Sequence, residues 1–193
     1  MSATNRGGIR KPLDLYETPA KCIENFLSKF KIPENSVILD PCIASGSIAK
    51  TVKLHNPTVK TFGIEIDNHH EDKLKESEIS YLIKNFLDVT KEDILELTGK
   101  EKVDIIFTNP PYKIAQEFIE HSLQLADKVV MLLRLNFLES KKRAVFLSTH
   151  VPDIYVLSKR PSFTGGGTDA TAYAWFVWDS NHLKNEGKVV ILP

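Results

Sequence analysis

Val103-Asp104-Ile105-Ile106-Phe107-Thr108-Asn109-Pro110-Pro111-Tyr112 joins an apolar run of strand length to a polar residue, two prolines and an aromatic ring. Such a run predicts a buried strand that delivers a stiff loop to its carboxyl end. That edge is where open α/β sheets bind ligands. Neither proline has an N–H and each fixes its own φ, so the loop offers carbonyl oxygens with few competing donors. The group this loop suits is flat and carries an NH2: the Asn109 side-chain oxygen and the Pro110 carbonyl each accept one hydrogen. Pro111 stiffens the turn, and the Tyr112 ring stacks on the flat face.

Moving outward, the chain alternates short apolar runs with amphipathic ones. Residues 37–40, 61–66, 81–83 and 129–135 read as strands, separated by helical stretches that begin near residues 19, 47, 71, 91 and 115. Thr18 is placed to cap the first helix, with Pro19 in its first turn and Ile23, Phe26, Leu27 and Phe30 on one face. Asp67 is placed to cap a charged helix. A further helix spans 138–147. Residues 154–157 and 173–178 have no helix-length segment between them and are expected to pair antiparallel; 189–192 adds a short edge strand. The pattern predicts an α/β fold with a mostly parallel sheet, helices on both faces and an antiparallel C-terminal hairpin. Residues 1–13 read as a flexible N-terminal arm and 14–193 as one catalytic domain.

At 193 residues, with 42% hydrophobic and 26% charged residues, the chain has the composition of a globular domain. Lys plus Arg and Asp plus Glu number 25 each, so any surface for nucleic acid must be a local basic face. No stretch reads as a membrane span. Cys22 and Cys42 lack a metal-ligand spacing and the 6 histidines show no paired one, so no metal is expected. A reduced, cytoplasmic setting follows, that of a host cell if the chain is viral.

Asn109-Pro110-Pro111-Tyr112 at a strand end resembles motif IV of the S-adenosylmethionine-dependent amino-methyltransferases, above all the gamma-type adenine-N6 DNA methyltransferases. The resemblance extends to the other motifs in their order. Tyr16-Glu17-Thr18-Pro19 is similar to motif X, which closes over the methionine end of the cofactor. Asp40-Pro41-Cys42-Ile43-Ala44-Ser45-Gly46-Ser47 resembles motif I, with Ala44 where the first glycine is usual; that substitution costs room and φ freedom. Gly63-Ile64-Glu65-Ile66 resembles motif II, where Glu65 holds the ribose and Ile66 lies beside the cofactor. Asn85-Phe86 is similar to motif III, Asn85 replacing an Asp that holds the cofactor adenine while Phe86 packs on its ring. The resemblance implies a class I, Rossmann-like, seven-stranded sheet and S-adenosylmethionine as cofactor. It also implies methyl transfer to an exocyclic amine, with adenine N6 in DNA as the leading substrate.

An exocyclic aromatic amine is a poor nucleophile, since its lone pair is delocalised into the ring. Two acceptors on its hydrogens favour a pyramidal nitrogen aimed at the sulfonium methyl, and transfer is then a single in-line displacement. A base in a strand must leave its stack to reach Asn109. Basic candidates for its phosphates are Arg6, Arg10, Lys11, Lys141, Lys142, Arg143, Lys159 and Arg160, each readable equally as a solvated face. The 160–171 loop with Phe163 reads as a lid at the substrate mouth or as a plain hairpin. No separate target-recognition domain is visible, so recognition falls to loops, a partner or a dimer, or the substrate is RNA with an unpaired adenine. Methylation of protein glutamine N5 and a cofactor-binding protein without turnover stand as the other readings.

Overall fold

The computed structural model of the protein describes residues 17–77, 79–163, 171–181 and 186–193. The elements are α1 (Ala20–Leu27), β1 (Val37–Asp40), α2 (Ser47–His55), β2 (Lys60–Glu65), α3 (Glu71–Lys75), β3 (Ser80–Ile83), α4 (Lys91–Thr98) and β4 (Val103–Thr108). They continue with α5 (Ala115–Leu125), β5 (Ala126–Arg134), α6 (Lys141–Thr149), β6 (Asp153–Leu157), β7 (Tyr173–Asp179) and β8 (Val189–Leu192). The expected arm, residues 1–13, lies outside the described residues.

The strands form one eight-stranded sheet in the order β3-β2-β1-β4-β5-β7-β6-β8. The seven strands that the resemblance implies become eight with the edge strand expected over 189–192: this is β8, which pairs parallel to β6 from Ile154↔Val189 to Leu157↔Leu192. Only β7 runs against its neighbours, antiparallel to both β5 and β6.

Period-two alternation divides the sheet residues between two cores. Val37, Leu39, Ile106, Val129, Met131 and Phe176 face one side, with Phe118 and Ile119 of α5. Ile38, Ile105, Phe107, Val130, Leu132 and Trp175 face the other, with Ile23 and Phe26 of α1 and Ile48 and Val52 of α2. Both faces being covered, the central strands are apolar at almost every position rather than at every second one. Phe26 keys α1 to the sheet, its ring 5.5 Å from Phe107 and 5.4 Å from Trp175. The Trp175 indole N–H closes the contact on the Cys22 carbonyl at 3.2 Å.

Local chemistry sets the helix boundaries. Thr90 and Asp93 form a reciprocal capping box at the start of α4, and Gly99 ends it in the left-handed region at φ 77°. Three boundary expectations are corrected. Thr18 does not cap α1: the cap position is Pro19 and no side chain bonds there. Asp67 closes a turn through the His69 N–H at 2.9 Å, while α3 begins after His70. The helix expected over 138–147 starts at Lys141, because 135–138 forms a 3-10 turn.

Gly63 in β2 passes directly beneath Ile43, in the turn between β1 and α2. A Cβ there would lie 2.2 Å from Ile43 Cδ1 and 2.8 Å from Ile43 Cβ. Because the Ile43 Cβ is itself in the way, rotating the side chain cannot relieve the clash, and the turn must move. Gly63→Ala is therefore expected to cost about 1–3 kcal/mol of folding stability, as overpacking does. Chemical denaturation measures this, and wild-type stability in the variant would show that the turn is not tightly seated.

Candidate functional site at the carboxyl edge

Because β1, β2, β4 and β5 are parallel, their last residues Asp40, Glu65, Thr108 and Arg134 reach the same edge of the sheet. Asp40 and Glu65 are both buried there, 2% and 3% exposed. The Thr108 hydroxyl donates to Asp40 Oδ1 at 2.7 Å, and the Cys42 N–H donates to the same oxygen at 3.1 Å. Glu65 Oε2 accepts the Ala44 N–H at 2.8 Å and Oε1 the Ile66 N–H at 2.9 Å. A buried carboxylate is tolerated only when bonded in this way.

The turn these carboxylates hold is strained. Ala44 has φ 46°, in the region glycine favours, where a Cβ costs about 1–2 kcal/mol. The bond from its N–H to Glu65 offsets part of that cost. Gly46 then takes φ 79° and α2 begins at Ser47. Burial pushes the Asp40 carboxyl up to about 7; the bonds from Thr108 and Cys42 oppose the rise and the nearby Glu65 charge adds to it. Burial, reinforced by the Asp40 and Glu65 charges, holds the Cys42 thiol well above its ordinary range. It stays protonated at neutral pH and is not a nucleophile.

The segment before α1 is tied to this turn by two hydroxyls. Ser45 Oγ donates to Glu17 Oε1, and Ser47 Oγ to the Thr18 carbonyl at 2.6 Å. Thr18 and Pro19 thus sit beside the turn, while Tyr16 lies outside the described residues. Past β3, Asn85 is exposed and caps the 3-10 turn Phe86–Asp88. Its Oδ1 accepts the Leu87 N–H at 3.3 Å, and its Nδ2 donates to Asp88 at 3.0 Å. The expectation that the Phe86 ring packs on a ligand is corrected. That ring is 2% exposed and packs inward, 5.0 Å from Phe118 and 4.9 Å from His121. Ile66 is an apolar side chain exposed at this edge, at 50%.

At the end of β4, Pro110 is buried and Asn109, Pro111 and Tyr112 are half-buried. The Tyr112 hydroxyl donates to Asn109 Oδ1 at 2.9 Å. Two residues that the sequence did not single out complete the cluster. The Arg134 guanidinium carbon lies 5.0 Å from the Tyr112 ring centre, and the Tyr173 ring lies 5.8 Å from it. Phe163 joins through Tyr173 at 5.2 Å. No local motif marks Arg134 or Tyr173; what brings them together is the pairing register of β5 and β7. Arg160 is exposed, and no contact among the described residues ties it to the cluster. Among the described residues there is no cluster of three or more His, Cys, Asp or Glu that could hold a metal, and no helix long and apolar enough to cross a membrane. A cavity of about 370 Å³ lies away from this site, beside the Lys128–Asp179 ion pair at the opposite edge of the sheet.

Comparison with curated protein sequences finds no match. Solved structures do match in fold. A Pyrococcus horikoshii protein proposed as an RNA methyltransferase superposes with a TM-score of 0.63 at 16% identity, covering 90% of each chain. A type I restriction-modification methyltransferase subunit from Streptococcus thermophilus gives 0.67 at 15% identity, over 91% of this chain and 47% of that one. The 23S rRNA methyltransferase ErmE gives 0.64 at 12% identity, over 89% and 72%. At such identities the likeness is one of fold, the class I methyltransferase arrangement. The family match is made on sequence over residues 20–155, which hold every described motif segment but Glu17 to Pro19, and by it the chain belongs to the UPF0020 family, the RMKL-like methyltransferase domain.

Proposed function

We propose that this chain transfers a methyl group to an exocyclic amine of nucleic acid, with adenine N6 in DNA as the substrate. One observation carries the reading: the Tyr112 hydroxyl fixes the Asn109 carboxamide at the end of β4, and the adjoining Thr108 bonds Asp40 in the turn after β1. The acceptor for an amine and the turn for a cofactor are thereby one connected unit.

The methyl donor is S-adenosylmethionine, which supplies an electrophilic methyl on a cationic sulfur. The side chains present fit it. Each Glu65 oxygen accepts one backbone N–H in the structure, so each keeps an acceptor position for a ribose hydroxyl. Ile66 offers an exposed apolar side chain for the adenine ring, and the Asn85 oxygen keeps a second lone pair for its amine. Asp40, Cys42, Ala44 and Gly46 form the turn, and Thr18 and Pro19 border it.

Asn109 Oδ1 receives the Tyr112 hydroxyl on one lone pair and takes one substrate N–H on the other; the Pro110 carbonyl takes the second. With the donor bound, the nitrogen lone pair would face its methyl; both acceptors would strengthen against the positive charge growing on nitrogen as it takes the methyl and sulfur keeps the S–C electron pair, and the surplus proton would leave to solvent. Tyr112 and Phe163 supply aromatic surface for the flipped base, and Arg160 a cation for its phosphate. Adenine N6 in RNA is the second reading, favoured by the fold shared with an RNA methyltransferase over most of both chains.

Tritiated methyl transfer to DNA, RNA and protein pools, followed by digestion of the labelled product, tests the proposal; label on N6-methyladenine from DNA is the expected result. Asn109→Ala should lower kcat by about 10²–10³-fold, the usual loss on removing one acceptor or donor aimed at developing charge. Calorimetric cofactor affinity should be unchanged, and equal loss of both would show that Asn109 belongs to the cofactor site.

Asp40 gives a pH signature. Its folded-state pKa of about 7 lies above the ordinary 3.8, so its contribution to stability is full below about pH 4 and is lost as pH rises through 7. In the cofactor-free protein, wild-type stability relative to Asp40→Asn should fall between about pH 4 and about pH 7 and level off above. Denaturation curves across that range check the sign, and a flat difference would place the Asp40 pKa elsewhere.

A further inference from the structure

We infer that Arg134 and Tyr173 are a positioning pair for the acceptor oxygen of Asn109, an assignment that rests on the amine-methylating function proposed above. In the β5–β7 register Arg134 stands opposite Tyr173. The Arg134 Nε–H donates to the Tyr173 hydroxyl at 3.1 Å, and Tyr173 is 1% exposed, so the anchor is fixed in the core. Held there, the guanidinium carbon lies 5.0 Å from the centre of the Tyr112 ring and 5.9 Å from that of Tyr173. The two rings are 5.8 Å apart at an interplanar angle of 50°. Arg134 therefore sets the pitch of the Tyr112 ring by a cation–π contact, and the ring carries its hydroxyl to Asn109 Oδ1 at 2.9 Å.

The last bond matters because a carboxamide presents an acceptor on one side and two donors on the other. A hydroxyl that donates to Oδ1 holds the oxygen, rather than the NH2, in the acceptor position. With the hydroxyl displaced, the oxygen loses that restraint, and an amide turned about its terminal torsion offers NH2 to an amine, donor against donor. Arg134 is a positioning residue and not a catalytic one. It acts through Tyr112, and its planar fork with the Nε–H donor is what lysine cannot reproduce.

Two measurements on Arg134→Ala, Arg134→Lys and Tyr173→Phe test the pair. The first is steady-state kinetics with S-adenosylmethionine and an adenine-containing single-stranded DNA or RNA oligonucleotide, whichever the wild type methylates. Arg134→Ala should lower kcat by about 5- to 30-fold, the range of a desolvated cation–π contact, with the KM for S-adenosylmethionine within about twofold of wild type. Arg134→Lys should not recover the loss, whereas millimolar guanidinium should recover part of it in Arg134→Ala and none in Asn109→Ala. The second is the ¹⁵N spectrum of the Asn109 side-chain amide, which should shift in Arg134→Ala and Tyr173→Phe as it does in Tyr112→Phe. Wild-type kcat in Arg134→Ala, or an unmoved Asn109 amide, overturns the pair. If the wild type transfers no methyl to any pool, the proposed function falls, and the amide spectra alone decide whether the pair orients Asn109.

Discussion

Two carboxylates out of contact with water hold the working edge of this protein. Burying an ionisable group costs several kcal/mol unless hydrogen bonds replace the lost hydration. Asp40 and Glu65 obtain them from the parts of the chain that must be brought together. Glu65, ending β2, reaches the Ala44 N–H after β1; Asp40, ending β1, receives the Thr108 hydroxyl that ends β4. Each bond crosses between adjacent parallel strands. The geometry of the edge is thus specified by polar bonds in a place where apolar packing is indifferent to direction. The raised pKa of Asp40 is the residual cost of this arrangement, since hydrogen bonds to one of its oxygens do not fully replace water.

The same argument explains how a non-glycine residue occupies a glycine position. Ala44 sits at positive φ with its N–H held by the buried Glu65 carboxylate. Replacing that anion would release the strain and the turn together. The strand beneath contributes as well: Gly63 allows Ile43 to descend onto β2, and the Ile43 N–H bonds the Ile64 carbonyl at 3.1 Å.

Much of this was legible in the sequence for identifiable reasons. The strands at 37–40 and 103–108 are apolar on both sides and end in polar residues, so period and boundary agree. The loop Asn109 to Tyr112 was legible because two consecutive prolines leave little conformational choice. Where the sequence misled, a longer-range contact had overridden a local preference. Thr18 has the chemistry of a cap, but its carbonyl accepts the Ser47 hydroxyl and its side chain is buried beside the turn. Phe86 stands where a ligand-facing ring is expected, yet α5 brings Phe118 and His121 close enough to draw it inward. The final strand count turned on β8, whose Val189 and Ile191 remain exposed, so hydrophobic burial gives only a weak signal there.

The reversed direction of β7 is what makes the cluster around Tyr112 possible. In a wholly parallel sheet, the end of the strand beside Arg134 would be its last residue, Asp179, and Tyr173 would lie about 20 Å away at the other edge, given about 3.3 Å per residue. Running the strand backward brings its first residue to the carboxyl edge, where Arg134 pairs with Tyr173 and the Leu135 N–H bonds the Ala172 carbonyl at 2.9 Å. The segment entering β7 is thereby delivered to the same edge as the loop leaving β4, and Phe163 reaches Tyr173 from the far side of that connection. An edge built only from strand ends would hold Arg134 and the loop after β4 alone; the one reversed strand adds a strand beginning, so that the Tyr173 ring meets both the Arg134 guanidinium and the Tyr112 ring.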